Sequence, residues 1–472
     1  MLFPTMIFGI FFLIVYAAAW TLDRENRRRK QFLVAASWVF YAWWDWRFVG
    51  LLAVSATLNW WIGRAIGSLL ARGEGARRKR LWLVALGVTI NLIILGFFKY
   101  YGFFTDQLQT ILHVVGWARD LPLLQVILPI GVSFFTFQGI SYIVDVHRGK
   151  VAAAPALLDV MLLMSFFPHL VAGPIVRASD LLPQFEKPAR LTREMATHGL
   201  LLIVWGLFKK TVIASQLATS LVDPVFFDPA AHTAPDLLLA AYGYAVQIYC
   251  DFSAYSDMAI GLAALLGYQF PRNFDQPYRA SSLQDFWRRW HISLSSWLRD
   301  YLYIPLGGSR GGVVRTCINV MITMLLGGLW HGAAWTFVAW GALHGAGLCI
   351  ERLWRLKPGR RHLPTWVGVL ITFHVVCLAW ILFRSETFGG ALSYLEGFSR
   401  WGSGPEVATP LAVVLIGLGL LLHALPPRAV EETSAWIRRL PSPVAGMAVG
   451  LAFLLVEALR DPGVAPFIYY QF

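Results

Sequence analysis

Apolar residues run through this chain in stretches of roughly 20, the length a helix needs to cross a hydrocarbon core about 30 Å thick. The first stretches are Leu2–Trp20, Phe32–Trp46, Phe48–Leu70, Leu81–Phe104 and Gln125–Val146. The later ones are His198–Leu221, Leu237–Leu266, Val313–Gly328, His331–Ile350, Trp366–Phe383, Leu411–Leu425 and Val444–Leu459. Leu157–Ile175 is different, because Phe167-Pro168-His169 and Gly173-Pro174 interrupt it. Such breakers predict a re-entrant or kinked element, buried in protein because lipid cannot satisfy open backbone groups. The expected fold is all-α, a polytopic membrane protein with about 11–12 membrane-crossing or re-entrant helices around a central buried cavity. No low-complexity linker or repeat divides residues 1–472, which read as one integrated domain.

Between Pro271 and Arg310 the chain is less apolar and rich in Arg and Trp. Trp287, Trp290, His291, Leu294, Trp297 and Leu298 recur there at helical spacing, with Arg288, Arg289 and Arg299 off that face. This predicts an amphipathic helix at the cytoplasmic membrane boundary.

Composition agrees: 57% of residues are hydrophobic and only 14% charged, against about 25% charged in a soluble domain. A net charge of +13 could suggest nucleic acid, but its placement excludes that reading. Asp23–Lys30, Arg72–Arg80 and Glu351–Arg361 read as short basic loops between apolar spans, as the positive-inside rule expects of cytoplasmic loops. Val222–Asp236 has Asp223, Asp228 and Asp236 with no Lys or Arg, so it reads as outside. Leu2–Trp20 has no basic residue before it and a basic cluster after it, the wrong charge order for a cleaved signal. It reads as a retained helix, and counting passes places both termini outside. Cys250, Cys317, Cys349 and Cys377 lie within apolar spans with no zinc or redox spacing, which makes them packing residues.

Ionisable groups at membrane depth usually mark function. His331 stands in Leu329-Trp330-His331-Gly332 and His291 in Trp290-His291-Ile292-Ser293. A buried imidazole stays neutral, the form a general base needs. The bland alternatives are a buried histidine bonded to a carbonyl for His331 and an interfacial or core histidine for His291. His344 follows His331 on nearly the opposite face of a straight helix, so it is not expected to be its partner. His169 is ambiguous and could line the same cavity. No histidine and carboxylate set has zinc spacing, so no metal is expected. Arg288 and Arg289 could meet lipid head groups or capture the phosphates of a cytoplasmic cofactor. Asp251, Ser253, Tyr255, Ser256 and Asp257 form a polar island, either an interhelical network or a tunnel lining. The aromatic tail Pro466–Phe472 is either an interface anchor or a segment folded into an outward-facing pocket.

Asp285-Phe286-Trp287-Arg288-Arg289-Trp290-His291-Ile292-Ser293-Leu294-Ser295, then Arg299–Gly308, resembles the membrane-bound O-acyltransferase family. So does Leu329-Trp330-His331-Gly332. The bacterial polysaccharide branch, typified by the alginate O-acetylation membrane protein, is also similar over Gln247–Asp257 and over Phe467–Phe472, where Tyr470 departs from an expected Phe. The resemblance implies that His331 is the essential histidine and His291 the second active-site position. It implies transfer of an acetyl group from cytoplasmic acetyl-CoA, a substrate rather than a bound cofactor. A periplasmic O-acetyltransferase partner would complete delivery to an exported polysaccharide. The protein would then lie in the bacterial inner membrane, with the amino terminus and the tail 466–472 periplasmic. His331 would act as base, with acyl-histidine formation as a second route. His291 would orient the donor or polarise its carbonyl, and Tyr469 is a possible acyl relay. The competing reading is a transporter or structural subunit of a polysaccharide export complex, without acyl-transfer chemistry. Repeated half-domains or intramembrane acid–base pairs would favour the transporter, and the sequence shows no clear sign of either.

Overall fold

A computed structural model describes residues 1–472 apart from 23–24, 118–123, 359–362, 403, 427, 462–465 and 468–472. Among the described residues all regular structure is helical. Six helices are long and apolar enough to cross a bilayer, or seven if the bent pair Pro410–Ala424 and Ala429–Ile437 counts as one span. The larger number expected from the sequence counted re-entrant elements too. Several of these are short, like Met6–Thr21 with 16 residues, or polar at the centre, like the 32-residue helix Ala234–Leu265. Two compact units emerge: Met1–Leu191 with Ala263–Phe270, and Thr192–Leu262 with Pro271–Phe472.

In the first unit Val132–His147 forms the centre, with every residue buried except Val144 and His147. Gly139 lets it pack tightly, since a Cβ there would lie 2.7 Å from Asn59 Nδ2 and 2.8 Å from Asn91 Oδ1. Asn59 and Asn91 exchange two hydrogen bonds of 3.2 and 2.9 Å between Arg47–Leu70 and Arg77–Val114. A reciprocal amide pair leaves little polar surface facing lipid. The interrupted segment is kinked as expected: Leu157–Ser165 ends at Phe166, Phe167–Leu170 follows, and residues 162–170 are all buried.

One cluster expected as a loop behaves otherwise. Residues 26–30 open the helix Asn26–Asp45, and Arg29 is fully buried. Its guanidinium donates to Ala19 O at 3.1 Å, Leu266 O at 2.7 Å and Tyr268 Oη at 3.2 Å. The first two carbonyls lie at helix carboxyl ends, which carry partial negative charge. Those ends, with the Tyr268 hydroxyl, hold the cation.

In the second unit Gly312–His331 and Trp335–Leu356 form a tight helical hairpin. A Cβ on Gly328 would meet Phe337 O at 2.2 Å, and one on Gly341 would meet Met324 O at 2.3 Å. Only glycine permits this approach. Upstream, the single amphipathic helix expected over Trp287–Leu298 is in fact two helices, Leu283–Arg289 and Ile292–Leu298. Trp290 is extended and His291 is left-handed at φ 43°, so the apolar face does not run through. Helical spacing identified the apolar residues but not the break, which long-range hydrogen bonds hold open.

Candidate active site

His331 is the last residue of its helix and 4% exposed. The chain then leaves helical geometry through Gly332–Ala334 before Trp335 starts the return. The sequence puts His331 at the head of the second apolar stretch, whereas it ends the first helix. Trp330, Trp340 and Phe383 box the imidazole, with ring centroids 5.0, 5.0 and 5.2 Å away.

His291 sits at the kink between the two short helices and is fully buried. Phe252 meets it edge-on at 4.6 Å, Phe274 stacks at 6.4 Å and Trp330 lies at 6.0 Å. Trp330 therefore stands against both histidines. The kink is held by Ile292 N donating to Asn273 O at 2.8 Å and Asp275 N to Arg289 O at 2.9 Å. His291 Nδ1 lies 3.1 Å from Asn273 Oδ1. Asn273 does not stand out in the sequence, because an isolated Asn in a loop carries no periodic signal.

The straight helix assumed between His331 and His344 is broken after His331. His344 packs at 4.8 Å on Trp340, four residues earlier in its own helix, and Trp340 also contacts His331. Phe286 and Trp287 cover its other sides at 6.1 and 5.1 Å. His169 takes the bland role: its Nε2 is 3.0 Å from Leu163 O and its ring packs on Phe270 at 5.1 Å.

A cavity of about 530 Å³ lies against the kinked segment, lined by Trp287, Arg288, Arg299, Tyr303, Arg352 and Arg355 among others. That volume suits a small-molecule ligand. Arg299 and Tyr303 come from a π-helical turn, Arg299–Tyr303, a distortion often found at functional sites. Arg299 pairs with Asp300 at 2.7 Å, and Arg355 pairs with Glu351. Among the described residues Arg288 and Arg352 have no carboxylate partner. Arg289 does not line this cavity; it binds Asp285 at 3.0 Å and Asp275 at 3.7 Å. Neither histidine lines it directly. Its wall residue Trp287 is 5.7 Å from Trp340, which contacts His331.

The polar island is an interhelical network, and its partners are two lysines from another apolar run. Lys209 Nζ binds Ser253 Oγ and Asp257 Oδ2, both at 2.7 Å, and Lys210 Nζ binds Asp251 Oδ1 at 2.8 Å. Both lysines belong to a π-helical turn, Phe208–Ala214. Sequence reasoning missed them, although two charged residues inside the apolar run His198–Leu221 were the available signal. Lys210 Nζ also reaches Pro466 O at 3.2 Å. Phe467 is fully buried against Tyr255 at 4.2 Å and Phe252 at 6.0 Å. The start of the aromatic tail is therefore docked beside Phe252, the ring that touches His291. Tyr469 lies outside the described residues.

Residues 133–383 match the family model described as MBOAT, the membrane-bound O-acyltransferase family. A probable alginate O-acetylase of Pseudomonas aeruginosa is 44% identical, over 85% of this chain and 76% of that protein. A peptidoglycan O-acetyltransferase of Helicobacter pylori is 36% identical, over 84% of this chain and 77% of its own length. A teichoic acid D-alanyltransferase of Streptococcus thermophilus is 30% identical, over 54% and 68%.

Proposed function

Because this chain belongs to the membrane-bound O-acyltransferase family, we propose that it transfers acetyl groups from cytoplasmic acetyl-CoA to an exported polysaccharide such as alginate. It is a multi-pass membrane O-acyltransferase. In this reading it lies in the bacterial inner membrane with both termini periplasmic, and a periplasmic partner completes delivery.

The observation that carries the mechanism is His331 at a buried helix end, one aromatic ring from the wall of an arginine-lined cavity. The acceptor hydroxyl oxygen attacks the thioester carbonyl carbon while His331 takes the hydroxyl proton. The tetrahedral oxyanion then collapses, the carbon–sulfur bond breaks, and the leaving thiolate recovers that proton from His331. His291 supports this step by orienting the donor or polarising its carbonyl.

Arg288 contacts the donor's phosphates together with Arg352, both at the cavity and without a carboxylate partner among the described residues. Arg289, tied to Asp285 and Asp275, steadies the turn that presents Arg288. With Tyr469 as acyl relay, its phenol is the hydroxyl that attacks the thioester, and the acyl–phenol bond then breaks as the polysaccharide hydroxyl attacks the same carbonyl. Tyr469 follows Phe467 by two positions in the sequence. Buried Lys–Asp pairs are also what a transporter would carry. Here Lys210 holds the tail carbonyl of Pro466 as well, so we read the pairs as tail anchors.

The deciding experiment is thioester turnover by the purified full chain in lipid nanodiscs. His331→Ala should lose on the order of 10²–10⁴-fold in kcat, the usual contribution of a general base, at an unchanged unfolding temperature. Full turnover by that variant would overturn the assignment. An acetyl-labelled trap should carry label on the terminal peptide, and an unlabelled peptide would remove Tyr469 from the mechanism.

A further inference from the structure

The imidazole of His291 is oriented by hydrogen bonds whose directions can be worked out. The Ser293 backbone N–H can only donate, and it lies 3.2 Å from Asn273 Oδ1. The atom facing it must be the amide oxygen. Asn273 Nδ2 accordingly donates to Ser256 Oγ at 2.9 Å. His291 Nδ1 is 3.1 Å from that same oxygen, which has no proton to offer, so Nδ1 carries the hydrogen. Ser293 Oγ donates to Oδ1 at 2.8 Å and therefore meets Nδ1, at 3.4 Å, as an acceptor.

In a neutral imidazole the other nitrogen then holds the lone pair. His291 Nε2 is buried and has no hydrogen-bond partner among the described residues. The rings around it, Phe252, Phe274 and Trp330, carry no charge. Burial alone pushes the His291 pKa down to about 3, so the ring stays neutral at working pH. Its backbone sits at φ 43°, ψ 56°, a left-handed conformation unusual for a residue other than glycine. Strain of this kind persists only where the surroundings hold the residue in place.

We propose that Asn273 is a positioning residue that fixes His291 as its Nδ1–H tautomer, so that Nε2 accepts a hydrogen bond from a substrate N–H or O–H. This rests on the acyl-transfer reading above and narrows it. Neutral His291 then orients a substrate and does not polarise the thioester carbonyl, which would need a proton on Nε2. The bound group is either an amide N–H of the donor's pantetheine arm or the hydroxyl of the acceptor.

Nitrogen-15 NMR of histidine-labelled full chain in nanodiscs reads the tautomer directly, with His291→Asn identifying the signal. Wild type should show a protonated Nδ1 and a bare Nε2. Asn273→Leu should lose that preference, and Asn273→Asp should keep it while moving His291 titration to higher pH. A wild-type Nε2–H signal, an unchanged tautomer in Asn273→Leu, or an unmoved titration in Asn273→Asp would each overturn the inference. Should the Leu variant not fold, the wild-type and Asp spectra still decide. These spectra do not depend on turnover, so an inactive wild type would count against the proposed function alone. In kinetics, a KM rise of about tenfold, or 1.4 kcal/mol, for acetyl-CoA alone in Asn273→Leu assigns Nε2 to the donor. The same rise for the acceptor alone assigns it to the hydroxyl, and no change in either overturns the substrate contact.

Discussion

Lys210 and Asp251 form an ion pair of 2.8 Å in which the side chains are 1% and 3% exposed. Removing one partner of such a pair leaves an uncompensated buried charge, at a cost of about 3–5 kcal/mol. Lys210→Met should therefore unfold well below wild type, and adding Asp251→Asn should restore much of the loss. Thermal unfolding in detergent measures both. A single variant as stable as the double would remove the pair from the account.

His291 should tolerate Asn better than Ala. The left-handed backbone costs an alanine about 1–2 kcal/mol, while Asn adopts it readily. His291→Asn should keep an unfolding temperature close to wild type yet turn over at least about tenfold slower. His291→Ala should lose both stability and turnover. If Ala proved the more stable of the two, the strained geometry would not be real.

Acid should destabilise the protein through His291. Its folded pKa of about 3 lies below the ordinary 6.5, because burial opposes charging. The unfolded chain therefore binds the proton more readily. The contribution is fully present above about pH 6.5 and is lost as pH falls from there towards 3. Unfolding temperature measured across that range should fall less steeply in His291→Asn than in wild type. Equal slopes would contradict the burial argument.

Two glycines should respond to Ala in opposite ways. Gly328→Ala drives a Cβ to 2.2 Å from Phe337 O, and overpacking of this kind costs about 1–3 kcal/mol. It should also lower turnover by displacing His331 at the same helix end. Gly417, inside Pro410–Leu421, faces open space, and a Cβ added there would meet nothing within 4 Å. Gly417→Ala should hold or raise stability by up to about 1 kcal/mol through helix propensity. Unfolding temperatures of the two variants test this, and a reversed order would refute the hairpin packing.

Arg352→Gln should raise KM for acetyl-CoA about tenfold with little change in kcat, the mark of lost uniform binding. A short acetyl thioester without phosphates should be used equally well by wild type and variant. A loss shared by both donors would mean that Arg352 acts on the fold rather than on phosphate.

Much of this protein is legible in the order of its residues. Runs of about 20 apolar residues identify spanning helices because the bilayer sets their length. Phe167-Pro168-His169 marks a kink because proline and lipid leave the backbone few options. His331 and His291 stand out because ionisable groups at membrane depth need a reason to be there. Other features are not legible, because they depend on residues far apart in sequence. Arg29 looks like loop charge until the carbonyls of Ala19 and Leu266 are seen to receive it. His331 and His344 look like parts of one straight helix until the chain breaks at Gly332.

Sequence alone thus determined the class of protein and singled out two histidines as candidates, since hydrophobic length and motif are local properties. Tertiary structure decided which nitrogen of His291 faces Asn273, which arginine faces the cavity, and where the aromatic tail begins to dock. Those are questions of direction. A hydrogen bond from Ser293 to Asn273 or a carboxylate beside Arg289 answers them only once distant segments have packed.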